Sequence, residues 1–148
     1  MESVQRRKRI LIVDDERALA DTLAAFFTHV GYEVQVAYNG EQALEEFHAH
    51  QFDAIISDIV MPGMNGMQLL NRIRAENGEV PVLIVSGFCD RYAAELAERV
   101  SKEITHFAQK PVGLQSFVRL LADLIERAET KSSSTESLSE RKTDILGH

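Results

Sequence analysis

The chain has few of the features that mark a secreted or membrane protein. Cys89 is the only cysteine among 148 residues, so no intrachain disulfide can form and an oxidising compartment is not indicated. No apolar run approaches the ~20 residues that a membrane span needs, and the run at residues 10–13 is too short for a signal peptide. These features predict a cytoplasmic protein.

Basic residues are scarce in the body of the chain. The formal net charge is −7, and a basic cluster within the first nine residues leaves residues 10–129 with a net charge of about −10. Because a nucleic-acid backbone needs a basic face, we do not expect this chain to bind DNA or RNA by itself. We interpret residues 1–7 as a basic arm, residues 8–129 as one folded domain, and the polar residues 130–148 as a disordered tail.

Five short apolar runs alternate with five amphipathic segments of helical periodicity. Gly31 provides a stop for the first helix, Asn39 can cap the second with Gln42 in a capping-box position, and Asp90 can cap the fourth. Strict alternation of strands and helices predicts an α/β fold with a parallel, doubly wound sheet. The apolar stripe of the first helix consists of Leu19, Leu23, Phe26, Phe27 and Val30.

Polar residues follow four of the apolar runs, where open α/β sheets bind their ligands. They are Asp14 and Asp15 after the first run, then Asp58, Ser86 and Lys110. Three carboxylates that converge at one edge repel one another unless a cation lies among them. A hard divalent ion with oxygen ligands fits this set, which predicts a site for Mg²⁺ or Mn²⁺.

Asp58 is the isolated acid, and an aspartate carboxylate can act as a nucleophile toward phosphorus. The cation and the Lys110 ammonium would neutralise the phosphoryl oxygens, while the Ser86 hydroxyl would donate a hydrogen bond to one of them. The residues thus predict a phosphoryl-transfer site with Asp58, Lys110 and Ser86 as its reactive groups.

The ordered set of motifs resembles the receiver domain of two-component response regulators over residues 8–129. The motifs are Asp14-Asp15, Asp58 with the following Ile-Val-Met-Pro-Gly-Met-Asn-Gly, Ser86-Gly and Lys110-Pro111. The resemblance implies a flavodoxin-like (βα)5 fold with strand order 2-1-3-4-5. It also implies that Asp58 accepts phosphate from a histidine kinase or a phosphotransfer protein.

The same resemblance assigns further roles. Asp15 would bind the metal directly, Asp14 through water, and the carbonyl of Val60 would complete the protein ligands. Ser86 and Phe107 would form a switch pair, in which the hydroxyl moves toward the phosphoryl group and the aromatic ring turns inward. An output protein of unknown identity would dock on the face of the fourth helix, fifth strand and fifth helix, with a phosphorylation-dependent homodimer as a further possibility.

Two alternatives remain open at this point. The chain could be the receiver portion of a longer regulator, such as a transcriptional one. It could instead be a Mg²⁺-dependent phosphohydrolase with Asp58 as nucleophile, although the haloacid-dehalogenase type needs a second acid where Val60 stands. Our first expectation is a stand-alone receiver that signals by altered protein binding and catalyses only its own phosphorylation and dephosphorylation.

Overall fold

The computed structural model describes residues 6–87, 92–102 and 104–146, without the side chains of residues 93, 100–102 and 132–146. In these ranges five strands alternate with five helices. The strands are β1 (Arg9–Val13), β2 (Glu33–Ala37), β3 (Ala54–Asp58), β4 (Val82–Ser86) and β5 (Thr105–Gln109). The helices are α1 (Arg17–Val30), α2 (Gly40–Ala49), α3 (Gly66–Glu76), α4 (Ala93–Lys102) and α5 (Leu114–Leu146).

All strand pairs are parallel, and the strand order is β2-β1-β3-β4-β5. The predicted fold and strand order are therefore confirmed. Because successive side chains of a strand point to opposite faces, each inner strand contributes to two apolar cores. One core joins Leu11 and Ile84 to α2, α3 and α4, and the other joins Ile12 and Val85 to α1 and α5.

Helix α1 shows how the predicted stripe is used. Leu23 and Phe27 are buried, but Leu19 and Val30 remain 38% and 45% exposed. Gly31 ends the helix with a positive φ of 123°, and its N–H donates to the carbonyls of the last turn, as predicted. The middle of the predicted stripe is therefore buried, while exposure rises toward both of its ends.

The helix caps follow the predicted chemistry with one difference. The Asn39 side chain accepts a hydrogen bond from the Gln42 N–H at 2.8 Å, but the Gln42 side chain accepts from the Tyr38 N–H and not from that of Asn39. A complete capping box occurs instead at the start of α3, between Asn65 and Gln68. Asp90, the predicted cap of α4, lies outside the described residues.

Helix α5 continues to Leu146, where the sequence predicted a disordered tail after residue 129. No proline or glycine occurs between Gly113 and Gly147, so nothing in this stretch removes a backbone hydrogen bond from the helix. The tail prediction was based on missing apolar periodicity, which reports on packing and not on backbone conformation. In the described part of the chain, no helix combines the length and apolar character of a membrane span.

Candidate functional site

Three aspartate side chains meet at the C-terminal edge of the sheet. Asp14 and Asp15 follow β1 directly, and Asp58 is the last residue of the neighbouring strand β3. One carboxylate oxygen from each of the three lies within 4.8 Å of the others. Asp14 and Asp58 are only 4% and 8% exposed, so little water screens their repulsion. The donor set, three close oxygens with two of them buried, fits a hard divalent cation.

Lys110 brings a positive charge to the same place. Its Nζ donates to Asp58 Oδ2 at 3.0 Å and lies 3.6 Å from Asp14 Oδ2. The Lys110 backbone N–H donates to the Ser86 carbonyl at 3.0 Å, which fixes the residue against the end of β4. The ammonium therefore lies between the two buried acids, and the ends of β1, β3, β4 and β5 together determine its position.

The pKa shifts reflect this arrangement. Burial raises the pKa of Asp14, and the hydrogen bond from the Glu16 N–H and the Lys110 charge oppose that rise only in part. For Lys110, burial acts to lower the pKa, but the hydrogen bond to Asp58 and the charges of the nearby acids outweigh it and raise the pKa. Lys110 is thus held in its charged form, while Asp14 ionises at a cost to the folded state.

The start of α3 packs tightly against the end of β3. A Cβ atom at Gly66 would lie 2.1 Å from the Asp58 carbonyl oxygen, so only glycine permits this approach. The Gly66 N–H donates to the Ile59 carbonyl at 2.8 Å, and the Val60 N–H lies 3.4 Å from Asp58 Oδ1. The sequence indicated a turn at Asn65-Gly66 but gave no sign of this close contact, since the contact depends on where α3 docks.

Ser86 and Phe107 occupy neighbouring strands. Ser86 is the last residue of β4 and is 1% exposed, whereas Phe107 lies opposite Ile84 on β5 and is half-buried. Ile84 and Phe107 both pack on the side of α2, α3 and α4. Strand alternation puts Ser86, two residues after Ile84, on that same face. The two predicted switch residues therefore share one face of the sheet, on the side of α4.

An apolar cavity of about 420 Å³ opens beside the acids. One wall carries Asp14, Asp58 and Lys110, and the rest is apolar and comes from α1, the sheet and the start of α5. The partly exposed Leu19 belongs to this lining. Sequence reasoning missed the cavity, because its walls come from segments about 90 residues apart whose separation is fixed only by the fold. Its apolar lining comprises Ile12, Val13, Leu19, Leu23, Ile56, Val85, Pro111, Val112 and Phe117.

Comparison with known proteins gives a consistent family assignment. The family model described as the response regulator receiver domain matches residues 10–122. Response regulator MprA of Mycobacterium tuberculosis is 26% identical over 140 residues, which cover 93% of this chain and 58% of that protein. Regulatory protein VanRB of Enterococcus faecalis is 29% identical over 120 residues, which cover 81% of this chain and 53% of that protein. The chain thus spans somewhat more than half the length of these relatives.

Solved structures agree with the fold. The crystal structure of a CheY-like response regulator receiver domain protein from Methanospirillum hungatei superimposes with a TM-score of 0.78 and 24% identity. The match covers 85% of this chain and 99% of that one. At this identity the likeness establishes the architecture alone, and the roles of individual residues must be argued from the site itself.

Proposed function

The chain belongs to the response regulator receiver domain family of two-component systems, and we propose that it accepts a phosphoryl group on Asp58 and signals through altered binding to another protein. Receiver domains are in general signalling domains and not enzymes. The only catalysis in this proposal is the protein's own phosphorylation and dephosphorylation.

One contact supports this role more than any other. The Lys110 ammonium lies 3.0 Å from Asp58 Oδ2, within a cluster of acids at the strand ends. Phosphoryl transfer depends mainly on positioning and on neutralising the charge of the transferred group. This site offers a nucleophilic carboxylate, a fixed cation beside it and room for a second cation. It can therefore both position the phosphoryl group and neutralise its charge.

We propose Mg²⁺, or Mn²⁺, as that second cation. The carboxylates of Asp14, Asp15 and Asp58 and the backbone carbonyl of Val60 would hold it. When bound, the ion supplies positive charge that offsets the repulsion among the carboxylates and between them and an incoming phosphate. The elevated pKa of Asp14 agrees with a site in which a negative charge lacks full compensation from the protein.

The transfer itself conserves the phosphoryl group. An Asp58 carboxylate oxygen forms a new O–P bond, while the N–P bond of a phosphohistidine, or the O–P bond of an acyl phosphate, breaks. The electron pair of the broken bond stays with the donor, on its imidazole nitrogen or carboxylate oxygen. Lys110 neutralises negative charge on the phosphoryl oxygens, and the Ser86 hydroxyl donates to one of them. In the proposal no other group of the chain needs to gain or lose a proton in this step.

The switch follows from the new charge. A phosphoryl group adds about −1.5 to −2 charges and three acceptor oxygens, which would draw Ser86 toward Asp58 and open space for the Phe107 ring. A shift from 1:99 to 99:1 needs about 5.5 kcal/mol. One or two charge-assisted hydrogen bonds, at roughly 1.5–3 kcal/mol each, approach that value. We therefore expect partial switching without a partner and full switching with one.

Two surfaces serve partners in this proposal. The donor, a histidine kinase or a phosphotransfer protein, docks over the acids and buries an apolar side chain in the 420 Å³ cavity next to Asp58. The output protein, or a second copy of the chain, binds the face formed by α4, β5 and α5, which contains Phe107 and lies next to Ser86. The acidic body of the chain argues against nucleic acid as a direct partner.

We also propose a cytoplasmic location. The single cysteine and the absence of disulfide spacing agree with a reducing compartment.

Intact mass tests the acceptor role. After incubation with Mg²⁺ and acetyl phosphate, the wild type should gain one phosphoryl group and Asp58→Asn should gain none. Asp53→Asn is the matched control, because Asp53 precedes the same strand at its opposite end and contacts Arg6 and the Arg9 N–H. Equal labelling of wild type and Asp58→Asn would exclude Asp58 as the acceptor.

Turnover separates a receiver from a phosphohydrolase. We expect the protein to accept a phosphoryl group from acyl or phosphoramidate donors and to release it slowly, with no sustained hydrolysis of simple phosphoesters. Steady release of many equivalents of phosphate from a phosphoester, abolished in Asp58→Asn, would favour the enzyme instead.

A further inference from the structure

A hydrogen bond joins the loop after Asp58 to the start of α4. The Asn65 Nδ2 donates to the Tyr92 hydroxyl at 3.3 Å. Tyr92 is half-buried, and its ring packs against the core that contains Met67, Leu96 and Phe107. The contact thus connects the end of the β3–α3 loop with the residue that directly precedes α4.

Asn65 is held rigidly at its end of this bond. Its side-chain oxygen accepts from the Gln68 N–H, and its own N–H donates to the Gln68 side chain, both at 2.9 Å. Because the capping box uses the amide oxygen, the amide nitrogen is the atom that faces Tyr92. The next residue, Gly66, is the one that packs against the Asp58 carbonyl. The position of Asn65 is therefore coupled to the end of the acceptor strand.

Tyr92 follows Ser86 by only six residues. The Asn65–Tyr92 bond therefore joins one segment that begins at Asp58 to another that begins at Ser86. Both segments begin at the proposed phosphoryl site. A movement of Ser86 toward Asp58 would pull on the segment that leads to Tyr92, whereas the capping box holds Asn65 on α3. The bond joins two neutral groups, and its length of 3.3 Å is near the upper limit for a hydrogen bond. A small displacement is therefore enough to break it.

We propose that Tyr92 is a positioning residue whose hydroxyl ties α4 to the acceptor loop in the unmodified protein and so opposes the phosphorylated arrangement. This inference rests on the proposed function, because Asp58 must be the acceptor for the tie to affect signalling. Loss of the bond should favour the arrangement that accepts phosphate by two- to tenfold, about the factor that one neutral hydrogen bond represents.

Two substitutions remove the same bond from opposite ends. Tyr92→Phe keeps the ring in the core and deletes only the hydroxyl. Asn65→Ser keeps a good helix cap and deletes the amide donor. Tyr32→Phe is the matched control, since this tyrosine packs in the other core, against Phe27. Two readouts are compared, the initial rate of phosphorylation by acetyl phosphate with Mg²⁺, and amide hydrogen exchange in α4 without any phosphodonor.

We expect each single variant to raise the phosphorylation rate two- to tenfold and to speed exchange in α4, with no further increase in the double variant. A purely structural role would lower stability without raising the rate. Additive effects, unchanged rates, or an equal effect of Tyr32→Phe would overturn the proposal. Should Asn65→Ser not fold, Tyr92→Phe against Tyr32→Phe decides the question.

Failure of the proposed function gives a different result. A wild type that takes up no phosphate would refute the acceptor role, and hydrogen exchange would then test the tie alone. Faster and non-additive exchange in α4 would support the tie, and unchanged exchange would overturn it.

Discussion

Substitution of Lys110 by methionine tests the electrostatic description of the site. Methionine keeps most of the length of the side chain and removes the charge that lies 3.0 Å from Asp58 and 3.6 Å from Asp14. Without it, the three carboxylates at this sheet edge lose the cation that contacts two of them. We therefore expect Lys110→Met to fold but to lose stability at neutral pH when divalent cations are absent.

The size of the loss follows from the two contacts. At an effective dielectric constant of about 20, charges at these separations attract by roughly 5 kcal/mol each. Desolvation of the ammonium offsets a large part of this attraction, and removing one partner of a buried pair typically costs about 3–5 kcal/mol. Because the Lys110 side chain is 28% exposed, solvent screening reduces the expected loss to about 2–4 kcal/mol of unfolding free energy.

The loss should depend on pH with a definite sign. Burial already raises the pKa of Asp14 in the folded protein. The folded state therefore binds a proton on the Asp14 carboxylate more tightly than the unfolded state does. The stability linked to this group is present below the unfolded pKa of about 4 and is lost as pH rises through the folded pKa. Removing Lys110 raises the folded pKa of Asp14 further, so the deficit of Lys110→Met should shrink on acidification.

Urea unfolding followed by circular dichroism measures this effect at pH 7.5 and at pH 5, with a chelator present. Lys8→Met is the control, because Lys8 forms an exposed ion pair with Glu129 at 2.9 Å, a kind of contact worth no more than about 1 kcal/mol. A loss below about 0.5 kcal/mol for Lys110→Met, or a deficit that grows on acidification, would refute the reasoning.

Three further predictions test neighbouring features. Gly66→Ala should cost about 2–3 kcal/mol of unfolding free energy in urea titrations, because its Cβ would lie 2.1 Å from the Asp58 carbonyl oxygen and α3 must shift; an unchanged midpoint would contradict this. Mg²⁺ at 100 times its dissociation constant should stabilise the wild type by about 2.7 kcal/mol in thermal melts. An equal stabilisation of the double variant Asp14→Asn, Asp15→Asn would show that the ion does not bind at these carboxylates. Leu19→Asp at the cavity mouth should slow phosphotransfer from a donor protein at least tenfold, about 1.4 kcal/mol, with labelling by acetyl phosphate unchanged; equal slowing with both donors would refute a docking role.

Much of the fold could be predicted because its pattern is local. Parallel strands buried on both faces are continuously apolar, and the residue that follows each strand lies at the same sheet edge. The position of the acids was therefore predictable from order along the chain. The end of α5 was not, because helix formation from Thr130 onward depends on backbone propensity, whereas the prediction considered only apolar periodicity.

The parts of the site that escaped prediction depend on distances between segments. The cavity beside Asp58 needs α1 and the start of α5 to diverge at the sheet edge, and the exposure of Leu19 is a consequence of that divergence. The contact of Gly66 with Asp58 depends on the docking of α3. The bond between Asn65 and Tyr92 joins side chains 27 residues apart. None of these has a periodic or compositional signal.

Chemical trapping of the phosphorylated protein tests the central claim most directly. Borohydride reduces an aspartyl phosphate to homoserine, which peptide mass spectrometry can locate along the chain. After incubation with Mg²⁺ and acetyl phosphate, we predict homoserine at position 58 and its absence from samples without the phosphodonor. Homoserine at position 14 or 15, or a phosphoryl group retained on a serine or histidine, would contradict Asp58 as the acceptor.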